Sequence, residues 1–453
     1  MEKLYLVDGM AMIYRAHFAM IRNPLLTSDG RHTSAIFGFF NSLFKLIIDE
    51  NPKYLVVVMD SKEPTFRHEI YPEYKATREK MPEELIEQLA PIYQILDSAG
   101  IAMIRKPGFE ADDIIGTIVS DKQANSIESY IITGDKDLMQ LVDNSTFVYT
   151  PGNRFKPTMI YDTEKVIEKW GVKPTKIPEL LALMGDTSDN IPGVEGVGSK
   201  TAAKLLKEYK SIENVFDHAE EVRNKRVSAG LVKGRSTYQL SMDLVKIDKN
   251  VPLNSECDFS NFKIDQMNGE SVLPILQEFE LFSLVKLLDP LIIKDESINQ
   301  GFEKNYKCLY TEEALKTVAE KIRSTGYFAL DTETTSTDSL TTELVGISLS
   351  IEENTGWYIP VLSPDMSKNV DIELIKKTIG PVFTDPDIKK SGQNIKFDIH
   401  VLNNHGLEIN GIEFDTMIAA HLIEPGMQGY KLDDLSVQNL GYTMKPITEL
   451  IGE

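Results

Sequence analysis

Cysteine is nearly absent from this 453-residue chain: Cys257 and Cys308 are the only two, and neither sits in a Cys-x-x-Cys or Cys/His ligand spacing. That argues against structural zinc, fits a reducing compartment and leaves both as ordinary thiols. No apolar run approaches the roughly 20 residues needed to span a bilayer, and the N-terminus reaches Asp8 after a short apolar run, unlike a signal peptide. A soluble, cytoplasmic protein without a membrane partner is expected. Internal repeats and low-complexity tracts are missing as well. Cations are scarce: 48 Lys and Arg stand against 69 Asp and Glu, a formal charge of −21. Polyanion binding favours Lys and Arg, so the whole-chain balance looks wrong for a nucleic-acid partner. Local basic segments nevertheless stand out at 66–80 and at 196–250, the latter with 11 Lys/Arg against 7 Asp/Glu.

What is present is ample apolar content, 42% of residues, over a length that suggests about three domains of roughly 150 residues. Strand-like runs at 3–7, 54–59, 101–105, 130–133 and 146–149 alternate with helical periodicity at 34–49, 83–99 and 111–124, the pattern of a parallel α/β sheet. Such sheets bind ligands at the carboxyl ends of their strands. From Pro174 to about Asp289 short helices take over, at Ile177 to Met184, Lys200 to Glu208 and Ile275 to Leu288. The expected division is therefore an α/β core over 1–174, a helical subdomain over 175–290, a polar linker over 291–304 and a second α/β domain over 305–453. In that last domain Tyr327 to Leu330, Leu344 to Ile351 and Trp357 to Val361 read as strands and Asp371 to Ile379 as a helix.

Carboxylates recur where the apolar runs of the first domain end. Asp8 follows Leu4–Val7, Asp60 follows Leu55–Met59, and Asp135 and Asp137 follow Tyr130–Gly134. Glu110, Asp112 and Asp113 open a helical pattern, and Asp186 and Asp189 follow Leu180–Gly185, making nine acids in five short segments. A lone Asp after a strand is usually a turn residue or helix cap. Nine converging on one sheet edge would repel one another without cations. Mg²⁺ and Mn²⁺ take oxygen ligands, and two such ions roughly 4 Å apart hold both the attacking and the leaving oxygen of a phosphodiester. Metal-dependent phosphoryl transfer is the chemistry this pattern suggests.

The segments Glu110-Ala111-Asp112-Asp113-Ile114-Ile115-Gly116-Thr117, Thr133-Gly134-Asp135-Lys136-Asp137 and Leu183-Met184-Gly185-Asp186-Thr187-Ser188-Asp189-Asn190-Ile191-Pro192-Gly193 resemble the 5′-nuclease domain of the bacterial DNA polymerase I family, in order and spacing, over residues 1 to about 290. The resemblance implies a PIN-like parallel sheet with a helix-hairpin-helix subdomain. It also implies that Asp8, Asp60, Glu110, Asp112, Asp113, Asp135, Asp137, Asp186 and Asp189 hold two Mg²⁺ or Mn²⁺ ions, with Asp8, Asp60, Asp112 and Asp135 among the catalytic set. The run Thr65 to Arg78 mixes cations with aromatics, as a surface for single strands does, although a solvated helix face would look similar. By the resemblance it borders the opening for the 5′ strand, with Phe66, Arg67 and Tyr74 as DNA contacts and Lys75 and Arg78 facing the scissile phosphate, where they stabilise transition-state charge. Arg15 is a weaker candidate for the same phosphate.

Gly193 to Lys204 places close-set glycines before a helix, exposing backbone N–H groups to an anion. A generic Gly-rich turn is the plain alternative, but the segment resembles the helix-hairpin-helix with which 5′-nucleases hold duplex phosphates, with K⁺ as an accessory ion. Gly196, Gly198, Ser199, Lys200 and Thr201 are the implied contacts, which position a duplex without reading its sequence.

Beyond the linker, Asp331-Thr332-Glu333, Gly392 to Asp398 and Phe414 to Ala419 resemble the RNase H-like α/β 3′-5′ exonuclease domain of the same family over about 303–445. Asp331, Glu333 and Asp398 are the implied second metal site, while Asp415 matches a position that is structural more than ligating. The family's last motif, a Tyr and an Asp four residues apart, is expected beyond Tyr430 to Asp434 and is not found before Glu453, nor is a polymerase domain. An incomplete, inactive 3′-5′ exonuclease is therefore expected beside a complete 5′-3′ exonuclease and flap endonuclease that acts as a monomer on 5′ flaps, nicks and RNA primers in replication and repair, associated with the nucleoid. A metal-dependent ribonuclease and a non-catalytic DNA-junction module are the rival readings.

Overall fold

The computed structural model describes residues 2–121, 127–152, 157–253, 258–264, 267, 269–288, 290–291, 305–423, 430–440, 442 and 444. Cys257 and nearly all of the expected linker lie outside them. The chain divides into two compact units, Met1–Ile293 and Lys294–Glu453. Among the described residues no helix is long and apolar enough to cross a membrane.

The first unit is built on six strands: β1 (Lys3–Asp8), β2 (Tyr54–Val58), β3 (Ala102–Ile104), β4 (Glu128–Ile132), β5 (Thr146–Thr150) and β6 (Met159–Tyr161). Their order is β3-β2-β1-β4-β5-β6, parallel except for the β5/β6 pair. Leu4, Tyr5, Leu6 and Val7 are all buried, as a central strand covered on both faces requires. The order reverses at β1/β4, so the carboxyl ends of β2, β1 and β4 meet at one edge, where a ligand crevice forms. The helix Gly9–Ala19, which the sequence did not announce, follows β1 with no intervening residue, and Asp8 caps it by accepting from Ala11 N–H at 3.2 Å.

The expected division at residue 174 is not a break in packing. One apolar core runs from Leu4 through Ile177, Leu206 and Leu231 to Phe262, joining sheet and helices. Helices form at Ile177–Met184 and Ser199–Tyr209 as expected, whereas 275–288 splits into Gly269–Glu278 and Phe282–Leu288.

The second unit has six strands in the order β12-β11-β8-β9-β10-β7: β7 (Asn305–Cys308), β8 (Tyr327–Thr334), β9 (Leu344–Ser350), β10 (Thr355–Pro360), β11 (Lys389–Gly392) and β12 (Ile412–Asp415). The pairs β8/β9 and β9/β10 are antiparallel and the others parallel. Period-2 alternation along β8 buries Phe328 and Leu330 against the helix Glu312–Thr325 side of the core and turns Asp331 and Glu333 to the open face.

Candidate metal centre of the first unit

Each acid segment is held by a local device. Thr133, fully buried at the end of β4, donates its hydroxyl to Asp8 Oδ2 at 2.8 Å and accepts from Asp135 N–H at 2.9 Å, tying the β1 and β4 ends together. Asp135 Oδ1 in turn accepts from Asp137 N–H at 2.8 Å. Asp60 Oδ1 accepts from Ala111 N–H at 2.8 Å, docking the end of β2 on the helix that carries Asp112. The 185–193 loop closes on itself through reciprocal Asp186/Ile191 backbone hydrogen bonds of 3.0 and 2.7 Å. Gly185 has φ +73°, and a Cβ there would meet Gly193 N at 2.7 Å, so the loop that presents Asp186 and Asp189 needs both glycines.

The nine acids fall into two electrostatic groups. Four have cations against them. Glu110 accepts from Lys75 Nζ at 2.7 Å, Asp186 from Lys136 Nζ at 2.7 Å and Asp189 from Arg78 at 2.5 Å, while Asp113 takes both guanidinium ends of Arg67 at 2.7 and 2.8 Å. Asp8, Asp60, Asp112, Asp135 and Asp137 form no ion pair among the described residues. Burial, reinforced by Asp60, pushes the Asp8 carboxyl up to about 7. Burial and the Asp135 and Asp8 charges push Asp112 well above the usual carboxylate range, and burial with Asp135 does the same to Asp137. Asp60 is raised by desolvation although its outer side is open. Asp186 moves the other way, because Lys136 and the Ser188 N–H outweigh its burial.

Among the described residues no three acid, His or Cys side chains are already drawn into an ion cage. The donors nevertheless suit hard divalent ions: they are all oxygen, the ionised group without partners is unfavourable as it stands, and Asp137 Oδ1 is buried with no hydrogen-bond partner.

Three of the expected site residues already have protein partners. Asp113 is fully buried, and its oxygens accept from Arg67 and from the Asp248 N–H at 2.8 Å, which anchors the helix it sits on. Arg67 is the other half of that anchor. It is 2% exposed and also donates to Leu244 and Lys246 carbonyls, so its guanidinium is turned into the protein and not toward an outer surface. Tyr74, expected to contact DNA, is 4% exposed and wedges its hydroxyl between Glu110 (3.2 Å) and Asp189 (3.3 Å). Two further placements differ from the expected rim. Arg15 spends its guanidinium on the Pro151 and Gly152 carbonyls at 2.8 and 2.7 Å. Phe66 lies under Arg67 and lines a cavity of about 760 Å³ with Ile70 and Lys246.

Lys75 and Arg78 do stand over the acids. Lys75 holds φ +58°, a left-handed conformation costly for a side-chain-bearing residue, fixed by its N–H to the Asp189 carbonyl at 2.9 Å. Arg78 is half exposed. Gly196, Gly198 and Lys200 are exposed at the start of the helix Ser199–Tyr209, with Ser199 and Thr201 half-buried beside them, and no side chain caps its N-terminus. The structure also brings in Lys136 and Thr133; the sequence signal for Lys136 is its place between two ligand-type acids.

In the second unit Asp331 and Glu333 are exposed on β8. Asp398 is 2% exposed, its Oδ1 accepting from Thr332 N–H (2.9 Å) and hydroxyl (2.6 Å). Although Asp331 has an open outer side, loss of water on its inner side together with the Asp398 and Glu333 charges lifts it to about 7. Asp415 accepts from the Asn394, Ile395 and Met417 N–H groups at 2.8 to 3.2 Å, a structural cap.

Comparison with known proteins matches three successive segments of the chain. Residues 3–171 match the family described as 5′-3′ exonuclease, N-terminal resolvase-like domain, residues 172–270 the 5′-3′ exonuclease C-terminal SAM fold, and residues 306–450 a 3′-5′ exonuclease family. The chain is 33% identical over 449 residues to a DNA polymerase I of Borreliella burgdorferi, covering 94% of this chain and 48% of that protein. It is 40% identical over 293 residues to a 5′-3′ exonuclease of Aquifex aeolicus, covering 64% of this chain and 96% of the relative. Among solved structures, a zinc-bound T5 5′-exonuclease superposes with a TM-score of 0.47 at 19% identity, over 63% of this chain and 100% of that one. The chain spans about half the length of the DNA polymerase I relatives it matches. It belongs to the 5′-3′ exonuclease family, and its residues 306–450 match a 3′-5′ exonuclease family.

Proposed function

We propose that the first unit hydrolyses DNA phosphodiesters at junctions of single and double strands, removing 5′ flaps and RNA primers and acting at nicks, and leaves a 5′-phosphate. The observation that carries this reading is the set of five acids at the crevice that form no ion pair among the described residues, flanked by Lys75 and Arg78. Asp8, Asp60, Asp112, Asp135 and Asp137, with Glu110, Asp186 and Asp189 at the rim, would hold two Mg²⁺ or Mn²⁺ ions. Bound there, the ions would supply Lewis-acid activation of water and of the leaving oxygen. A phosphodiester beside Asp60 meets the Lys75 ammonium and the Arg78 guanidinium, which favour charge building on it. Gly196, Gly198, Ser199, Lys200 and Thr201 hold duplex phosphates on exposed N–H groups and one lysine, with K⁺ as the accessory ion, and the chain acts as a monomer. Cleavage of a 5′-flap DNA and of a single-stranded RNA, each with and without Mg²⁺, tests the reading. Mg²⁺-dependent flap cleavage that Asp135→Asn with Asp137→Asn abolishes is expected, and full cleavage by that double variant contradicts the site.

These 453 residues are also proposed to trim 3′ ends negligibly. Asp398 is buried with Oδ1 committed to Thr332, leaving Asp331 and Glu333 as the freely presented acids. Mg²⁺-dependent 3′ trimming by the double variant, lost on Asp331→Ala, would overturn this part.

A further inference from the structure

Lys136 lies between Asp135 and Asp137, in helical backbone conformation just ahead of the 3₁₀ turn Asp137–Leu141. Its Nζ donates to Asp186 Oδ2 at 2.7 Å, and Asp137 and Asp135 are close enough to act on its charge. The ammonium thus joins the end of β4 to the 185–193 loop, with Asp186 nearly buried beneath it. Beside it, Asp137 Oδ1 is buried without a partner. On the opposite side of the crevice, around Asp8, Asp60 and Asp112, none of these three acids is in an ion pair among the described residues, although the Lys75 and Arg78 charges reach Asp60.

We propose that Lys136 is an internal counter-ion that sets unequal affinities on the two sides of the acid cluster. On this account a divalent ion fills the Asp8/Asp60/Asp112 side first. The Asp137/Asp186/Asp189 side binds more weakly, because an incoming ion must take Asp186 Oδ2 from the ammonium and sit against a like charge. The inference rests on the metal-site reading above. It makes Lys136 a positioning residue with a sign that a merely structural anchor would not show. An anchor, once removed, lets Asp186 wander and weakens the second ion; a resident counter-ion, once removed, tightens it.

The test is a calorimetric Mn²⁺ titration of the full chain without DNA, for wild type, Lys136→Met, Lys136→Gln and Lys136→Arg. Two classes of site are expected in the wild type. Lys136→Met should tighten the weaker class by about tenfold, equivalent to ~1.4 kcal/mol, and leave the tighter class in place. Lys136→Gln, which keeps a hydrogen bond to Asp186 without the charge, should do the same and serves if the Met variant does not fold. Lys136→Arg should resemble wild type. An unmoved or weakened second class in the Met or Gln variant overturns the inference while sparing the metal site, as does an Arg variant that moves as far as Met. No Mn²⁺ uptake by the wild type overturns both.

Discussion

The two units of this chain place carboxylates at a sheet edge or face in opposite electrostatic styles. In the first, Lys75, Arg78, Lys136 and Arg67 are interleaved with the acids. In the second, among the described residues no Lys or Arg pairs with Asp331, Glu333 or Asp398. The same contrast holds for the buried cations. Arg67 ends in a bidentate pair with Asp113, whereas Lys390 is fully buried on β11 and, among the described residues, donates to the Asp385 and Ile388 carbonyls at 2.5 and 2.7 Å without an ion pair. Burial lowers the Lys390 amine to about 8. Dipoles satisfy its hydrogen bonds but do not replace an opposite charge. The first unit is therefore partly neutralised before any ion arrives, and the second is not.

The largest expected effect breaks that neutralisation where it is deepest. Arg67→Ala leaves Asp113 buried and unpaired and should cost about 3–5 kcal/mol, read by urea denaturation, while Arg67→Met with Asp113→Leu should recover most of it. Recovery by neither would mean that the Leu244 and Lys246 carbonyl contacts, not the ion pair, hold the region.

Next come the cations over the crevice. Lys75→Ala should slow single-turnover flap cleavage by roughly a hundredfold or more, with duplex affinity nearly intact. Lys200→Ala should do the reverse, weakening affinity and making the log-log salt slope shallower by about one unit. Equal loss of rate and affinity in both variants would erase the distinction.

The comparison also has a pH signature. Asp8 and Asp331 have folded-state values near 7, above the ordinary 3.8, so the metal-free folded state binds more protons than the unfolded chain between about pH 4 and pH 7. Stability from these groups is present at low pH and falls as pH rises through that window; Mg²⁺ should flatten the fall. Lys390 gives the opposite slope higher up. Its folded value near 8 lies below the ordinary 10.5, so stability should rise between those pH values, and Lys390→Met should remove that rise. Thermal melts across pH 4–11 with EDTA or Mg²⁺ read both; a rise between pH 4 and 7 without metal would contradict the first, and an unchanged upper slope in Lys390→Met the second.

How far the site was legible in the sequence follows from the same physics. The acids at strand ends could be read, because four apolar residues followed by Asp is the one-dimensional trace of a buried parallel strand reaching its carboxyl end. The cation roles could not. Arg67, Tyr74, Lys75 and Arg78 share one basic-aromatic segment, and composition treats them alike, yet a guanidinium can be bound internally where a matching carboxylate and carbonyls converge. That convergence involves Asp113, Leu244 and Lys246, up to 179 residues away, which no local pattern reports. The helix Gly9–Ala19 escaped notice because it begins on a glycine directly after a strand, without a polar turn to mark it.

The account turns on which acids wait for divalent ions and which are already paired. The most direct measurement is the Mg²⁺-induced rise in melting temperature for wild type, Asp137→Asn and Asp113→Asn, each compared with its own EDTA baseline. Asp113→Asn should lower the baseline yet keep the Mg²⁺ response, and Asp137→Asn should hold or raise the baseline and lose most of the response. A response abolished by Asp113→Asn and kept by Asp137→Asn would contradict the division.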